Sequence, residues 1–557
     1  MNKKIWFKKW NENLTHTLDY PAITLDQLFE KSAEWYPTKP FIIFYGKKLD
    51  YETTWKYILA LSSALVRMGI KKGDRVGVSM QNSPNFVITY FGIIRAGGVV
   101  VLLNPMLKQG ELENIVNDSG LKLIITTDDL LNNVTYLNKQ LGIKLISGSI
   151  KPFLGNDGKI PIPVQIQKDY ERGDALPWED LIKGETHETG ASISNNDPAM
   201  IAYTSGTTAI PKGCVHTHSS IIANAMASAY WRGVTPATIE LSVAPFFHVT
   251  GLSFSLMGPL YESATIIPLY RWDKVAAVAS IEEYGVTHWV TIPTMIADLL
   301  TLPDIKKHDF SSLVFVGGGG SAMPKSLLDQ FEKIVNLHFV EGYGMTEMMG
   351  QTHVNPTRDR KVGSIGIPQF GVDSKIIDPE TLSELRQGEI GEIVFTGPSL
   401  FSGYYGNDEE TRNAFVELSG KKFLRSGDIG YMDEDGFFFI VDRLKRMINR
   451  AGFKVWPLEV ENVLYEIPAI KECCVVSTPD NRVGEEVKAF ITLKPGFENN
   501  ITKDEIIQYC KSRLADYKYP RIIEFTKEIP KTGSGKVDWR SMQEEENRKS
   551  MELNKEG

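Results

Sequence analysis

Cysteine is scarce. The 557 residues contain four, Cys214, Cys473, Cys474 and Cys510. Their spacing forms no zinc pattern and no disulfide framework, which points to a reducing, cytoplasmic compartment. Long apolar runs are missing too; none approaches the roughly 20 residues that a membrane-spanning helix needs. Met1 to Trp10 is basic and aromatic but has no apolar centre, so it does not read as a signal peptide. It reads as an arm on the first domain, with peripheral membrane contact as the alternative. Positive charge is not in excess. A net charge of −8 leaves no footprint for nucleic acid, so a polyanionic ligand must be met by local cations. There is no internal repeat and no P-loop. Gly206 and Lys212 lack the G-x-x-x-x-G-K-[ST] spacing, and Val537 follows Lys536 where that pattern needs a hydroxyl.

The chain is too long for one core, and 42% hydrophobic with 23% charged residues excludes wholesale disorder. Apolar runs at Phe41–Tyr45, Val76–Met80, Val99–Leu102, Leu123–Thr126, Thr287–Ile292 and Leu313–Val316 read as strands. Helical patterns lie between them, as in Thr54–Met68 and Asn85–Ala96. The alternation predicts an α/β fold with doubly wound sheets. Lys151–Ala175 reads as a long surface loop. From about Gly363, short strands (Ser374–Ile377, Gly391–Thr396, Gly436–Val441) predict a small β subdomain over about 363–441. Beyond Arg443, Val460–Ile467 and Lys503–Leu514 read as helices, and Glu472–Ser477 and Glu486–Leu493 as strands, which makes a small α+β domain. The charged tail from Gln543 is expected to fray.

Tyr203-Thr-Ser-Gly-Thr-Thr-Ala-Ile-Pro-Lys-Gly213 gathers four hydroxyls, two glycines and a lysine after a strand-like run. Glycine admits close backbone approach, hydroxyls donate to phosphate oxygens, and Lys212 adds charge. By itself such a cluster is commonly a plain loop. Four further segments accompany it. Glu341-Gly342-Tyr343-Gly344-Met345-Thr346-Glu347 offers glycines, a hydroxyl and a carboxylate able to hold Mg²⁺. Gly317–Gly320 with Ser321 offers bare backbone to a flat ring. Ser426-Gly427-Asp428 offers a carboxylate for ribose hydroxyls. Pro530-Lys531-Thr532-Gly533-Ser534-Gly535-Lys536 puts a lysine in a Gly-rich segment.

In order and spacing these segments resemble the AMP-forming acyl-CoA synthetase and ligase family, the adenylate-forming enzymes, from about Leu25 to Arg540. Ala244-Pro245-Phe246-Phe247-His248 also looks like that family's acyl-site strand. The resemblance implies an enzyme using ATP, Mg²⁺ and coenzyme A to convert a small-molecule carboxylic acid to acyl-AMP and then acyl-CoA. It implies an N-terminal domain over 1–444 and a mobile C-terminal domain over 445–557, hinged at Lys445. Thr204, Ser205, Gly206, Thr207, Thr208 and Lys212 would hold the β- and γ-phosphates. Gly319, Gly320 and Ser321 would line the adenine, with Tyr343 stacking and Glu341, Gly342, Gly344 and Met345 on the same wall. Thr346 would meet the α-phosphate, Glu347 the Mg²⁺, Asp428 and Arg443 the ribose. Lys536 would be the adenylation lysine, and Gly452 would lie beside the pantetheine arm. Trp231, Phe247, His248, Val249, Gly251, Gly344 and Met348 are candidates for the acyl pocket.

The pattern departs in three places. Ala209 stands where the family usually has glycine, and Asn449 and Ala451 stand where the aryl-CoA branch tends to carry lysines. Gly452-Phe453-Lys454-Val455-Trp456-Pro457 looks like the fatty acyl branch, which favours an aliphatic acid. A carrier-protein phosphopantetheine as acceptor, a luciferase-like oxygenase and a non-catalytic acyl-binding relative remain as alternatives.

Overall fold

The computed structural model describes residues 4–155, 158–186, 192–204, 211–320, 323–480, 482–497, 500–531 and 537–556, with backbone alone for 550–556. It divides into two compact units. The first comprises Met1–Ser374, Phe395–Leu424 and Asp435–Phe437; the second Lys375–Val394, Arg425–Glu434 and Phe438–Gly557.

Two large sheets build the first unit. In one, eight strands follow the order Gly403–Tyr404, Lys212–Thr217, Pro198–Thr204, Val99–Leu102, Arg75–Ser79, Leu123–Thr127, Lys144–Gly148 and Leu176–Pro177. Lys212–Thr217 joins antiparallel, but the strands from Pro198–Thr204 to Lys144–Gly148 run parallel, and Val99–Leu102 and Leu123–Thr127 among them are buried on both faces, as a helix-covered parallel sheet demands. The other sheet has nine strands, with Ile239–Ser242, Thr265–Pro268, His288–Thr291, Phe315–Gly319 and Phe339–Met345 at its centre and Pro40–Phe44 towards one edge. The expected strands fall within a residue or two of those found, except that Leu313–Val316 is displaced onto Phe315–Gly319. Helix starts follow local chemistry: Asp50 accepts from Thr53 N, Ser83 from Phe86 N ahead of Pro84, and Thr217 from Ser220 N.

The basic aromatic arm lies on this unit. Ile5–Lys9 forms a short 3₁₀ turn, and Trp6 and Trp10 are buried. The Trp10 ring meets Trp231 edge-on at 4.8 Å and Phe370 at 5.2 Å. At Gly436 a side chain would strike the Trp6 backbone at 2.8 Å, so only glycine lets the arm settle.

Residues 363–443 contain the expected short strands, and the unit boundary runs through several of them. In the first unit Phe415–Leu418 pairs antiparallel with the start of Lys421–Met432; in the second, the remainder of that strand pairs with Phe438–Arg443. The second unit also holds a mixed sheet around Ile470–Asp480 and Gly484–Leu493, with helices Pro457–Tyr465, Lys503–Lys511 and Trp539–Glu556.

Two expectations are corrected. The tail does not fray from Gln543: Trp539–Glu556 is helical. The Gln543 amide accepts from Ser477 N and donates to Ser477 O, both at 2.9 Å, while Glu546 takes Thr478 Oγ1 at 2.9 Å and Lys488 Nζ at 2.7 Å. Its charge hid one anchoring face. Lys151–Ala175 is no plain surface loop either, since two 3₁₀ turns bury Phe153 and Ile166 in the main core.

Candidate active site

In the first unit, Pro198–Thr204 and Lys212–Thr217 pair antiparallel with Thr204 opposite Lys212. Ser205, Gly206, Thr207, Thr208 and Ala209 lie outside the described residues, as do Ser321 and Lys536. The Lys212 ammonium pairs with Glu410 and sits over the Tyr404 ring at 5.1 Å from its centre. Tyr404 Oη donates to Glu347 Oε1 at 2.9 Å. Lys212, Tyr404 and Glu347 thus form one connected group, although Lys212 and Glu347 are distant in sequence. Glu347 is buried in the turn Thr346–Met348, and Phe401 N donates to its carbonyl at 2.8 Å. No group of three or more His, Cys, Asp or Glu side chains suited to a metal occurs among the described residues. Glu347 nevertheless fits Mg²⁺, which is commonly held by one or two carboxylates together with substrate phosphates.

His216 Nε2 lies 2.8 Å from the Thr346 carbonyl. Burial lowers its pKa to about 4, so the ring is neutral and Nε2 carries the proton, because a carbonyl can only accept. The Asn224 amide donates to the carbonyls of Met348 at 3.4 Å and Gln351 at 3.2 Å, and Ser253 Oγ to that of Met349 at 2.6 Å. None of His216, Asn224, Ser253 or Tyr404 was singled out from sequence, where each looks like an ordinary residue of a strand or helix.

Of the glycines proposed for the adenine wall, Gly319, Gly342 and Gly344 lie within strands, and Gly320 follows directly after one. Phe315–Gly319 and Phe339–Met345 are neighbouring parallel strands, with Gly319 opposite Gly342. A Cβ on Gly318 would lie 1.8 Å from Thr291 O, and one on Gly319 2.1 Å from Gly342 O. Gly344 is tighter still, at 1.7 Å from Gly350 O. These backbones pack where side chains cannot, leaving a flat peptide surface. Gly320, at φ +89°, ends the run. The Tyr343 ring lies 5.9 Å from His353 and 6.2 Å from Phe395. Burial raises the Glu341 carboxyl to about 7, opposed by the Met323 amide and Arg360. A small hollow beside it is lined by Phe339, Asn355, Arg360 and Lys361.

On the acyl side, the chain leaves Ile239–Ser242 and turns through Pro245–His248, where His248 N donates to Pro245 O at 3.1 Å. Helix Val249–Leu252 and a π-helical turn, Ser253–Met257, follow. π turns are frequent at functional sites. Gly251 has no room for a side chain, since a Cβ would lie 2.1 Å from Pro245 O. Val249 and Met348 are buried, Phe247 is half-buried and His248 is exposed. Trp231 has Trp10 and Phe370 as ring neighbours and donates its indole N–H to Asn355 O at 3.1 Å.

In the second unit, Asp428 faces Arg443 across an antiparallel pair, with Arg443 Nε 2.9 Å from Asp428 Oδ1. Asp428 is therefore on a strand, preceded by the positive-φ Gly427, whose amide donates to Glu392 Oε1 at 3.0 Å. Lys445 is exposed in the turn Leu444–Arg446, and both its flanks are anchored within this unit. Asp442 accepts from Leu458 N at the start of helix Pro457–Tyr465, and Arg446 pairs with Glu461 and faces the Trp539 ring at 5.6 Å. Gly452 has φ +87° at an exposed tip, its amide donating to Asn449 Oδ1 at 3.0 Å. Lys531 and Val537, which flank the Lys536 segment, form an isolated antiparallel bridge.

A large unit of two α/β sheets and a smaller α+β unit define the adenylate-forming class of enzyme. The AMP-binding enzyme model matches residues 29–405 and the AMP-binding enzyme C-terminal domain residues 459–536. The chain belongs to this family. It is 37% identical over 559 residues to a long-chain-fatty-acid–CoA ligase of Bacillus subtilis (strain 168), covering 98% of each chain. It is 31% identical to a feruloyl-CoA synthase of Amycolatopsis sp, covering 88% of this chain and 93% of that one. An anthranilate CoA ligase solved in complex with anthranoyl-AMP superposes with TM-score 0.84 at 25% identity, covering 96% of this chain and 99% of that one.

Proposed function

We propose that the protein is an ATP-dependent acid–thiol ligase that activates a fatty or other aliphatic carboxylic acid as acyl-AMP and transfers the acyl group to coenzyme A. The observation that carries this reading is the end-to-end likeness to a long-chain-fatty-acid–CoA ligase. The phrase Gly452–Pro457 favours an aliphatic over an aromatic acid, while the feruloyl-CoA synthase likeness makes an aryl acid the second reading to test. The four buried cysteines, with no disulfide among them, fit a cytoplasmic setting.

In the first half-reaction a carboxylate oxygen attacks the α-phosphorus and the bond to pyrophosphate breaks. Two anions must meet, so cationic screening is the main demand. Lys536 would bridge the carboxylate and the α-phosphate. At ~4 Å and an effective dielectric of about 20, one such pair is worth roughly 4 kcal/mol. Thr204–Thr208 and Lys212 would hold the outgoing phosphates, with Glu410 giving up Lys212 as they bind. Thr346, oriented from behind by His216, would meet the α-phosphate, and Asp428 and Arg443 the ribose. Mg²⁺ on Glu347 would offset phosphate charge. In the second half-reaction the thiol sulfur attacks the acyl carbon, its proton is lost and AMP departs. Rotation of a C-terminal domain about Lys445 would withdraw Lys536 and bring Gly452 to the thiol path.

The test separates the halves. Lys536→Ala should lose about 10²–10³ in ATP–pyrophosphate exchange or more, yet still convert supplied acyl-AMP and coenzyme A to thioester. Lys445→Pro should show the reverse pattern. Normal exchange by Lys536→Ala would overturn the assignment. A panel of short, medium, long, hydroxylated and aromatic acids, scored by pyrophosphate release with and without coenzyme A, identifies the substrate and the acceptor.

A further inference from the structure

We infer that Asn82 is a positioning residue for acid recognition: its side chain fixes the Ser242–Phe246 backbone, which carries Phe247 and His248. The inference rests on the reading that residues 244–248 form part of the acyl wall. Asn82 follows strand Arg75–Ser79 of the eight-stranded sheet, whereas Ser242 ends a strand of the nine-stranded one. Its amide nitrogen donates to Ser242 O at 3.1 Å and Ala244 O at 2.9 Å, and its Oδ1 accepts from Phe246 N at 2.7 Å. A primary amide has two N–H donors and one acceptor oxygen. Asn82 commits both donor bonds and that oxygen to one five-residue stretch.

The stretch needs this partner. Ser242 closes its strand, where its carbonyl also accepts from Leu269 N at 3.2 Å, but Ala244 and Phe246 are buried beyond the strand's end, outside the sheet ladder. Left unpaired, buried peptide groups are costly, and no apolar side chain can serve them. Two further contacts close on the same stretch. The Phe246 ring packs 5.5 Å from Phe86, on the helix that begins just after Asn82, and the backbone of Gly251 presses against the Pro245 carbonyl. Asn82 supplies the polar part of this clamp. Removing it lets the backbone shift, and Phe247 and His248 move with it. The phosphate-side turn is held by other groups, His216, Tyr404 and Asn224. A defect at Asn82 therefore falls on the acid and spares the nucleotide.

The experiment compares the full-length protein with Asn82→Ala, Thr126→Val and Phe247→Ala, using pyrophosphate release with straight-chain acids of increasing length. Thr126→Val removes a neighbouring hydrogen bond between two interior strands, Thr126 Oγ1 to Ser79 O at 2.7 Å, and serves as the control for a purely structural loss. Asn82→Ala is expected to raise the acid KM about tenfold or more and to blur chain-length preference, with the ATP KM within about twofold. Thr126→Val is expected to lower Tm without changing the acid KM. An unchanged acid KM and length profile in Asn82→Ala, or a parallel rise in the ATP KM, overturns the inference. Should Asn82→Ala fail to fold, Asn82→Ser, which keeps one donor and one acceptor, is read by the same criteria. Phe247→Ala separates the two readings. If it leaves the acid KM unchanged, the wall assignment falls and the inference with it; if it raises the acid KM while the Asn82 variants do not, the inference alone falls.

Discussion

Glu341 stands out among single residues because its carboxyl titrates near neutrality, at about 7, chiefly through burial. In the proposed site it lies on the adenine wall. As a carboxylate it can only accept, which suits an exocyclic amino group; protonated, it donates. The ATP KM should therefore improve as pH rises through about 7, and Glu341→Gln should flatten that dependence, as initial rates across pH 6–8 will test. Stability runs the other way. The folded pKa lies above the unfolded value, so the contribution is complete below about 4.5 and lost as pH rises through 7, by at most about 3 kcal/mol. Residues of this kind were legible in sequence only where the motif is contiguous, as in Glu341–Glu347 or Ser426–Asp428. Tyr404, His216 and Asn82 were not, because each acts on a partner far along the chain, and no local pattern records such a meeting.

At the scale of elements, the glycine-bearing strand Phe315–Gly319 carries the sharpest prediction. A methyl group on Gly318 would sit 1.8 Å from the Thr291 carbonyl, so the two strands must separate. Gly318→Ala should lower Tm by several degrees or abolish folding, with overpacking costing about 1–3 kcal/mol or more. Any folded fraction should bind ATP weakly, a loss that calorimetry would reveal. Sequence reading placed most strands and helices because burial on two faces leaves plain apolar runs, and one-face burial leaves a helical period. It ended the strand at Val316, ahead of Gly317–Gly319, since what keeps those glycines in a strand is the neighbouring backbone. It also misjudged the last helix, because Met542, Gln543 and Glu546 anchor a segment whose overall composition is charged.

For the molecule as a whole, acid is the clearest stress. His216, His218 and His288 are lowered to about 4 and His353 to about 3, each mainly by burial within the first unit. Unfolding lets them take protons at their ordinary pKa near 6.5, so the unfolded state binds more protons between 6.5 and 4 and stability falls as pH drops through that window. Stability should fall from pH 6.5 to 5 by a total on the order of several kcal/mol, read as a steep decline in Tm. Substituting a non-titrating residue at one of them, such as His353→Gln, should reduce the slope. An acid-insensitive Tm would contradict the buried, neutral assignment. The two sheets of this unit also interleave along the chain. Ile42 must pair with Ile266, and the strands between residues 75 and 217 belong to the other sheet. On a ribosome adding about 5–20 residues per second, the first strand waits roughly 10–45 s for its parallel neighbour. Through that interval an apolar edge is exposed, and the yield of active protein will depend on what shields it during synthesis.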